Sequence, residues 1–388
     1  MKINKHCFPN GLRLVHYEDT STQMVALNIV YDVGARDEHP EHTGFAHLFE
    51  HLMFGGSVHI PDYDTPLQLA GGENNAWTNN DITNYYLTVP KPNVETAFWL
   101  ESDRMLELAF SEQSLEVQRG VVMEEFKQRC LNQPYGDVGH LFRPLAFRVH
   151  PYRWPTIGKE LSHIEQATLD EVKNFFYRFY APNNAVLAVT GNISWDETVR
   201  LTEKWFAPIP RRDVPARQLP QEPEQTRERR LTVERNVPLD ALFMGYHMCS
   251  RESADYYAFD ILSDILSNGR SSRLNRRLVQ EQNLFSGIDA YISGTRDAGL
   301  LQISGKPAAG VSLEQAEAAV RKEIFGNINY LNVATNLAWF ELTGKAEDID
   351  LEVERYRSVT TEQLHTVAQH TFCENNTVVL YYKSDKQH

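Results

Sequence analysis

The apolar and polar positions in TLDEVKNFFYRFYAPNNAVLAV (168–189) predict an amphipathic helix, a turn at Asn183-Asn184 and a short β-branched, apolar strand. The same succession returns in TTEQLHTVAQHTFCENNTVVLY (360–381). Thr168 falls on Thr360, Asn183 and Asn184 on Asn375 and Asn376, and Val186 on Val378, a constant shift of 192 residues. Two earlier segments recur in the same order. EHLMFGG (50–56) overlies SDILSNG (263–269) at a shift of 213, and NAWTNNDITNYYLTV (75–89) overlies DAYISGTRDAGLLQI (289–303) at 214. Three matched segments in one order predict a tandem duplication in which each half mixes strands with amphipathic helices. The stretch APIPRRDVPARQLPQEPEQTRERR (207–230), rich in proline and charge, reads as an exposed connection. The expected organisation is a first domain over 1–210, a linker over 211–228 and a homologous second domain over 229–388.

From Thr43 to Phe54 the pattern is again helical, with Gly55-Gly56 as a stop. Within it lies HLFEH (47–51). Residues four apart on a helix share a face, so His47 and His51 can aim both imidazoles at one ion. Glu50, at the edge of that face, could hold a water by hydrogen bond and take its proton. The order HxxEH mirrors the HExxH metalloprotease helix. Two imidazoles and a carboxylate with one position left open suit zinc. A third ligand is sought in SEQSLEVQRGVVMEEFKQRCL (111–131), which reads as a helix capped by Ser111 or Ser114. Its apolar stripe is expected through Leu115, Val121, Val122 and Phe126. Glu125 falls at the edge of that stripe and Glu124 more to the side; the pattern leaves both open. In the aligned second copy, His47, Glu50 and His51 correspond to Asp260, Ser263 and Asp264, so the chemistry is expected in the first half alone.

The remaining bulk properties narrow the classes. A chain of 388 residues, 42% apolar, can bury substantial cores. No apolar run approaches the roughly 20 residues of a membrane span. A net charge of −14 without a basic stretch argues against nucleic acid and anionic membrane surfaces. Cys7, Cys130, Cys249 and Cys373 are far apart and form no CxxC pair, which reads as reduced thiols. If Met1 is the native start the protein is expected in the cytoplasm; a signal removed before it would make it periplasmic.

HLFEH followed by GGENNAWT (71–78) and QRGVVMEE (118–125) resembles the pitrilysin family of zinc metallopeptidases, closest to its short, two-domain bacterial members. The resemblance runs from NGLRLVHYED (10–19) through YDVGARDE (31–38) to VTTEQLHTVAQ (359–369). It implies an α+β fold of two tandem homologous domains, each an antiparallel sheet with helices packed on one face. It also implies His47, His51 and Glu125 as ligands of one Zn2+ per chain, Glu50 as general base, and hydrolysis of peptides. Many relatives carry an outer glutamate where this chain has Gln118; Glu116 is a candidate replacement. Asn75, Ala76 and Thr78 would belong to an edge strand that takes substrate as an added strand. Phe54 and Trp77 would be aromatic walls beside the scissile bond. Four such domains enclose a chamber in the family, so a homodimer, or a heterodimer with a homologous subunit, is expected. An Arg and Tyr pair of many relatives is replaced here by Val279 and Ser286. The rival reading is a non-catalytic scaffold or peptide-binding subunit.

Overall fold

The computed structural model describes residues 3–325 and 355–385. The stretch 326–354, within the span expected for the second domain, lies outside the described residues. The chain divides into two compact units, Met1–Gly136 with Val149–Gln221, and Asp137–Arg148 with Glu222–His388.

The first unit is built on strands β1 (Asn4–Cys7), β2 (Arg13–Glu18), β3 (Met24–Tyr31), β4 (Glu73–Thr78), β5 (Thr83–Pro90) and β6 (Ala185–Gly191), in the order β1-β2-β6-β3-β5-β4. Neighbours run antiparallel except β2 and β6. The second sheet, β7 (Arg229–Arg235), β8 (Ala241–Met248), β9 (Phe285–Ile292), β10 (Gly299–Pro307) and β11 (Thr377–Ser384), has the order β7-β11-β8-β10-β9, again with one parallel pair, β7 and β11. The two plans coincide strand for strand from β2 onward. The helices are α1 (Phe45–Leu52), α2 (Asp64–Leu69), α3 (Val94–Leu106) and α4 (Glu112–Phe126). After α5 (Val138–Ala146) come α6 (Leu161–Glu165), α7 (Leu169–Phe179) and α8 (Trp195–Phe206), then α9 (Tyr256–Ser267), α10 (Leu313–Phe325) and α11 (Thr361–Thr371).

Alternation sets which sheet face is core. Val25, Leu27, Ile29 and Tyr31 of β3 are fully buried and share one face, since strand side chains point alternately up and down. Phe49 of α1, Phe98 of α3, Phe176 of α7 and Phe206 of α8 join them in one core. Helix α7 starts where its residues demand: Thr168 accepts a hydrogen bond from the Glu171 amide while the Glu171 carboxylate accepts from the Thr168 amide. In its copy α11 the Thr360 hydroxyl accepts from the Gln363 amide, without the return bond of the box. From Leu169 to Thr361 and from Ala185 to Thr377 the shift is 192 residues both times, so this part of the repeat keeps its length element by element.

Two boundaries differ from the sequence expectation. Helix α5, placed by sequence in 1–210, belongs to the second unit. Leu242, Met244, Tyr246 and Met248 of β8 face the core shared with α9, α10 and α11. Gly245, on the opposite face, meets Phe142 of α5, and a Cβ there would stand 2.7 Å from that ring. Asp137 ties the start of α5 down by accepting from Arg235 Nε (2.9 Å) and the Tyr382 hydroxyl (2.5 Å). The second sheet is therefore covered on both faces, by a helix that precedes it in the chain. Residues 211–221, expected as linker, pack on the first unit instead. Arg212 donates to the carbonyls of Tyr180 (2.8 Å) and Leu106 (2.7 Å), and Arg217 pairs with Asp32 (2.9 Å) and Asp37. Proline and charge signal exposure, but arginine donors find carbonyls and carboxylates that composition does not reveal.

Candidate metal centre

Helix α1 carries His47, Glu50 and His51, and its start has no side-chain cap of its own. Gly44 at the cap is left-handed (φ 89°), and both oxygens of the Glu38 carboxylate accept from the helix amides, Gly44 N and Ala46 N, each at 2.9 Å. Burial pushes the Glu38 carboxyl up to about 8 against the opposing pull of those amides. Thr43, expected inside the helix, is instead held outside it, its hydroxyl 2.8 Å from His163 Nδ1 and accepting from the Lys159 amide. The helix stops where the glycines predict. Gly55 N donates to Leu52 O at 2.9 Å, and Gly56 (φ 99°) passes so near Pro61 that a Cβ would stand 2.7 Å from its carbonyl oxygen. Phe49 stacks on Phe175 and Tyr180, ring centroids 5.2 and 5.0 Å away, which fixes the helix on the core.

Helix α4 begins at Ser111, whose hydroxyl accepts from Ser114 N at 3.0 Å. Leu115, Val122 and Phe126 are buried, whereas Val121, expected in the stripe, is 46% exposed; the inward face is narrower than four apolar positions implied. That phase separates the two glutamates. Glu125 turns toward α1, with Oε2 3.4 Å from His47 Nε2 and 3.2 Å from His51 Nε2. Glu124 turns to solvent and pairs with Lys127 at 2.5 Å. Among the described residues, His47, His51 and Glu125 form the one cluster of three metal-type donors, each offering an atom within 4.8 Å of the others. Burial holds the His47 imidazole down to about 4, so it is neutral at pH 7 with a lone pair to offer. The hydrogen bond with His51 is the largest influence keeping Glu125 ionised. Two imidazole nitrogens and one carboxylate fit a zinc ion with an open position.

The outer surroundings differ from the expectation. Glu116 is 72% exposed and paired with Arg119, away from the cluster. Arg129 instead donates to Glu125 Oε1 at 2.8 Å from the π-helical turn Lys127–Leu131 that continues α4. The i, i+4 spacing of Glu125 and Arg129 is visible in the sequence, whereas nothing local to YDVGARDE signals that Glu38 caps α1. His47 Nδ1 is buried with no hydrogen-bond partner among the described residues.

Among the described residues β4 pairs with β5 alone and leaves its other edge open. At that edge the Ala76 amide donates to the side chain of its own neighbour, Asn75 Oδ1 (2.8 Å), a bond that an added strand would have to replace. Ala76 packs against the core with its cross-strand partner Tyr85, and Thr78 shares that side. Trp77 and Asn75 point the other way, and Trp77 is 42% exposed. Phe54 lies on the core side, 5.5 Å from Tyr63 and 6.0 Å from Tyr85 between ring centroids. The structure thus brings Phe54, but not Trp77, to the inner side of the edge strand, because one residue of register reverses the face.

In the second unit Asp260 accepts from the Tyr356 hydroxyl, Ser263 donates to the Asp260 carbonyl (2.9 Å) and Asp264 accepts from Asn268 (3.0 Å). Val279 packs against the second core, and the Ser286 hydroxyl donates to Lys306 O at 3.1 Å. Among the described residues no helix is long and apolar enough to cross a membrane.

A helix-borne HxxEH facing a glutamate of a second helix, on the first of two like-planned α+β units, is the arrangement of a known peptidase family. The model described as insulinase, peptidase family M16, matches residues 13–138, and that described as the peptidase M16 inactive domain matches 166–325. Together they span most of the chain, which belongs to the M16 family of peptidases. A zinc protease named PqqE from Helicobacter pylori is 31% identical over 71% of this chain, a match that spans 64% of that relative's length. YmxG of Bacillus subtilis, described as an uncharacterized zinc protease, is 23% identical across 97% of this chain and 98% of its own. The crystal structure of a protease from Helicobacter pylori superposes with a TM-score of 0.89 at 25% identity, covering 98% of this chain and 99% of the other.

Proposed function

We propose that this chain is a zinc-dependent metalloendopeptidase that hydrolyses peptides or unfolded polypeptides. One observation carries the reading: His47, His51 and Glu125 bring their donor atoms within 4.8 Å of one another, the histidines on the helix that also bears Glu50 and all three on the same unit as the edge strand β4. The three side chains would hold the ion. When bound, zinc supplies Lewis-acid polarisation of a carbonyl and makes water a nucleophile near neutral pH. Glu50 is the general base: it takes a proton from the attacking water and delivers one to the leaving amine. The β4 edge would hold the substrate extended, its amides and carbonyls pairing with the peptide once Asn75 releases Ala76. Phe54 would line the pocket next to the cleaved bond. Arg129, donating to Oε1, leaves Oε2 of Glu125 aimed at the imidazoles.

The working unit in this reading is a homodimer whose four α+β units enclose a chamber, since among its described residues one chain brings a single donor cluster and a strand edge without a partner strand. A heterodimer with a homologous subunit is the alternative, because Val279 and Ser286 cannot make the polar contacts of an arginine and a tyrosine. The rival function, a non-catalytic peptide-binding subunit, draws on the inactive-domain description of 166–325, a span that excludes all four candidate residues. The decisive experiment is zinc analysis of the purified chain with mass spectrometry of cleaved peptide libraries, with and without a chelator. Chelator-sensitive cleavage with one zinc per chain is expected. Bound zinc without any cleavage would sink the enzyme reading. Light scattering on a dilution series, with activity on the same samples, tests the chamber; full activity in a strictly monomeric sample would refute it.

A further inference from the structure

Arg104 of α3 is buried to 1% exposure, the largest side chain to be so enclosed among the described residues. Glu101, one turn earlier, accepts from its Nε at 3.0 Å and from its Nη2 at 2.5 Å, and also accepts from the Tyr63 hydroxyl at 2.6 Å. Burial pulls against the charge of Arg104, and the Glu101 carboxylate outweighs it, so the guanidinium stays protonated. Three rings surround it, with centroids 4.6 Å away for Tyr63, 4.6 Å for Tyr85 and 5.2 Å for Phe54.

Each ring belongs to a different part of the site. Phe54 follows the metal helix directly. Tyr63 closes the loop beyond it. Tyr85 lies on β5 directly opposite Ala76 of the edge strand, and its hydroxyl donates to the Phe49 carbonyl inside α1 at 3.0 Å. Filling this volume with apolar side chains would avoid desolvating two charges, so core packing alone is a poor reason for the pair. A planar cation does what an apolar residue cannot: it fixes the faces of three rings at once, by direction as well as by contact.

We infer that Arg104 is a positioning residue, one that keys the metal helix and Phe54 to the substrate strand through Tyr63 and Tyr85, with Glu101 holding it in place. What the keyed parts accomplish rests on the peptidase reading; the keying itself does not. Arg104→Met alone would strand the Glu101 charge in the core, so the test uses the double variant Glu101→Gln/Arg104→Met, with Arg104→Lys beside it. The double variant should bind zinc as the parent does, while kcat/KM on a quenched peptide falls roughly 10- to 100-fold, mostly in kcat, as a small misplacement of reacting groups produces. Arg104→Lys, with its charge but without the planar stack, should fall between. Hydrogen exchange should quicken in 45–54 and 73–78 and stay unchanged in α8 and in β7–β11. Parental kcat/KM together with unchanged exchange would overturn the proposal. So would exchange that quickens evenly over the whole first unit with activity per folded chain intact, which is the mark of a merely stabilising pair. Should the parent cleave no peptide at all, the exchange arm still decides: faster exchange confined to the two segments supports the keying while the peptidase reading fails, and none overturns it. If the double variant does not fold, Arg104→Lys carries the same exchange and kinetic criteria.

Discussion

Helices α1 and α9 follow equivalent strands in two sheets of one plan, and they have come to opposite uses. In α1, two histidines one turn apart face Glu125 of α4. In α9, the aligned Asp260, Ser263 and Asp264 are spent on local bonds to Tyr356, the helix backbone and Asn268. The common fold supplies a helix held against a sheet with a strand edge nearby. In the first unit α4 brings the Glu125 carboxylate to the imidazoles, and the Arg104 cation is buried against Phe54, Tyr63 and Tyr85. The scaffold is shared, and among the described residues the donor cluster lies on one copy.

The largest expected break in that comparison comes from the base. Glu50→Gln should leave zinc bound and lower turnover by about a thousandfold or more, while Ser263→Ala at the matching place should leave turnover unchanged. Near-normal turnover of Glu50→Gln on a quenched peptide would remove Glu50 from the mechanism. His51→Ala should lose the ion itself. Next come the neighbouring glutamates. Glu125→Gln should weaken zinc binding by at least about a hundredfold in a chelator competition, and Glu124→Gln by no more than about twofold, since one aims at the imidazoles and the other at Lys127. Equal losses would mean that the ion sits elsewhere.

The units should also differ in sign with pH. Burial raises Glu38 in the first unit to about 8, so its protonated form favours folding. That contribution is complete below about pH 4.3, the ordinary carboxyl value, and is lost as pH rises toward about 8. In the second unit burial would raise Glu317, but hydrogen bonds from Arg230, Tyr381 and Arg321 prevail and hold it to about 2. Its contribution is complete above about pH 4.3 and is lost as pH falls toward about 2. Thermal unfolding of Glu38→Gln and Glu317→Gln against the parent should therefore give stability differences that slope oppositely with pH; slopes of one sign would contradict the assignment. The smallest effect separates the two caps. Thr168→Ala and Thr360→Ala should each cost about 1 kcal/mol in denaturant unfolding, with the greater loss at Thr168, where the box also secures the cap's own amide.

Much of this was legible in the order of residues. The repeat, the metal helix with its glycine stop, and the strand edge in NAWT all rest on periodicity and short spacings, which local backbone geometry translates directly into shared faces. Helical phase put Glu125 near the inner face but could not choose it over Glu124, because one residue turns a side chain by about 100° and the stripe was too short to set the angle. The resemblance put Trp77 beside Phe54 on the pocket wall, and the structure turns it to the other face for the same kind of reason: a strand alternates, and only pairing with β5 tells which set looks inward. Other features depend on partners far along the chain. Helix α5 left its sequence neighbours because Gly245, about a hundred residues on, offers a ring-sized gap. Glu38 caps α1 from outside it, and Arg104 meets rings from three elements. The sequence by itself determined which helix presents two histidines on one face and which segment forms the edge strand, since those are matters of spacing within a few residues. Only the tertiary structure decided which glutamate faces the histidines, which ring lies on the inner side and which buried charge sits among the rings, since each of those depends on where distant segments come to rest.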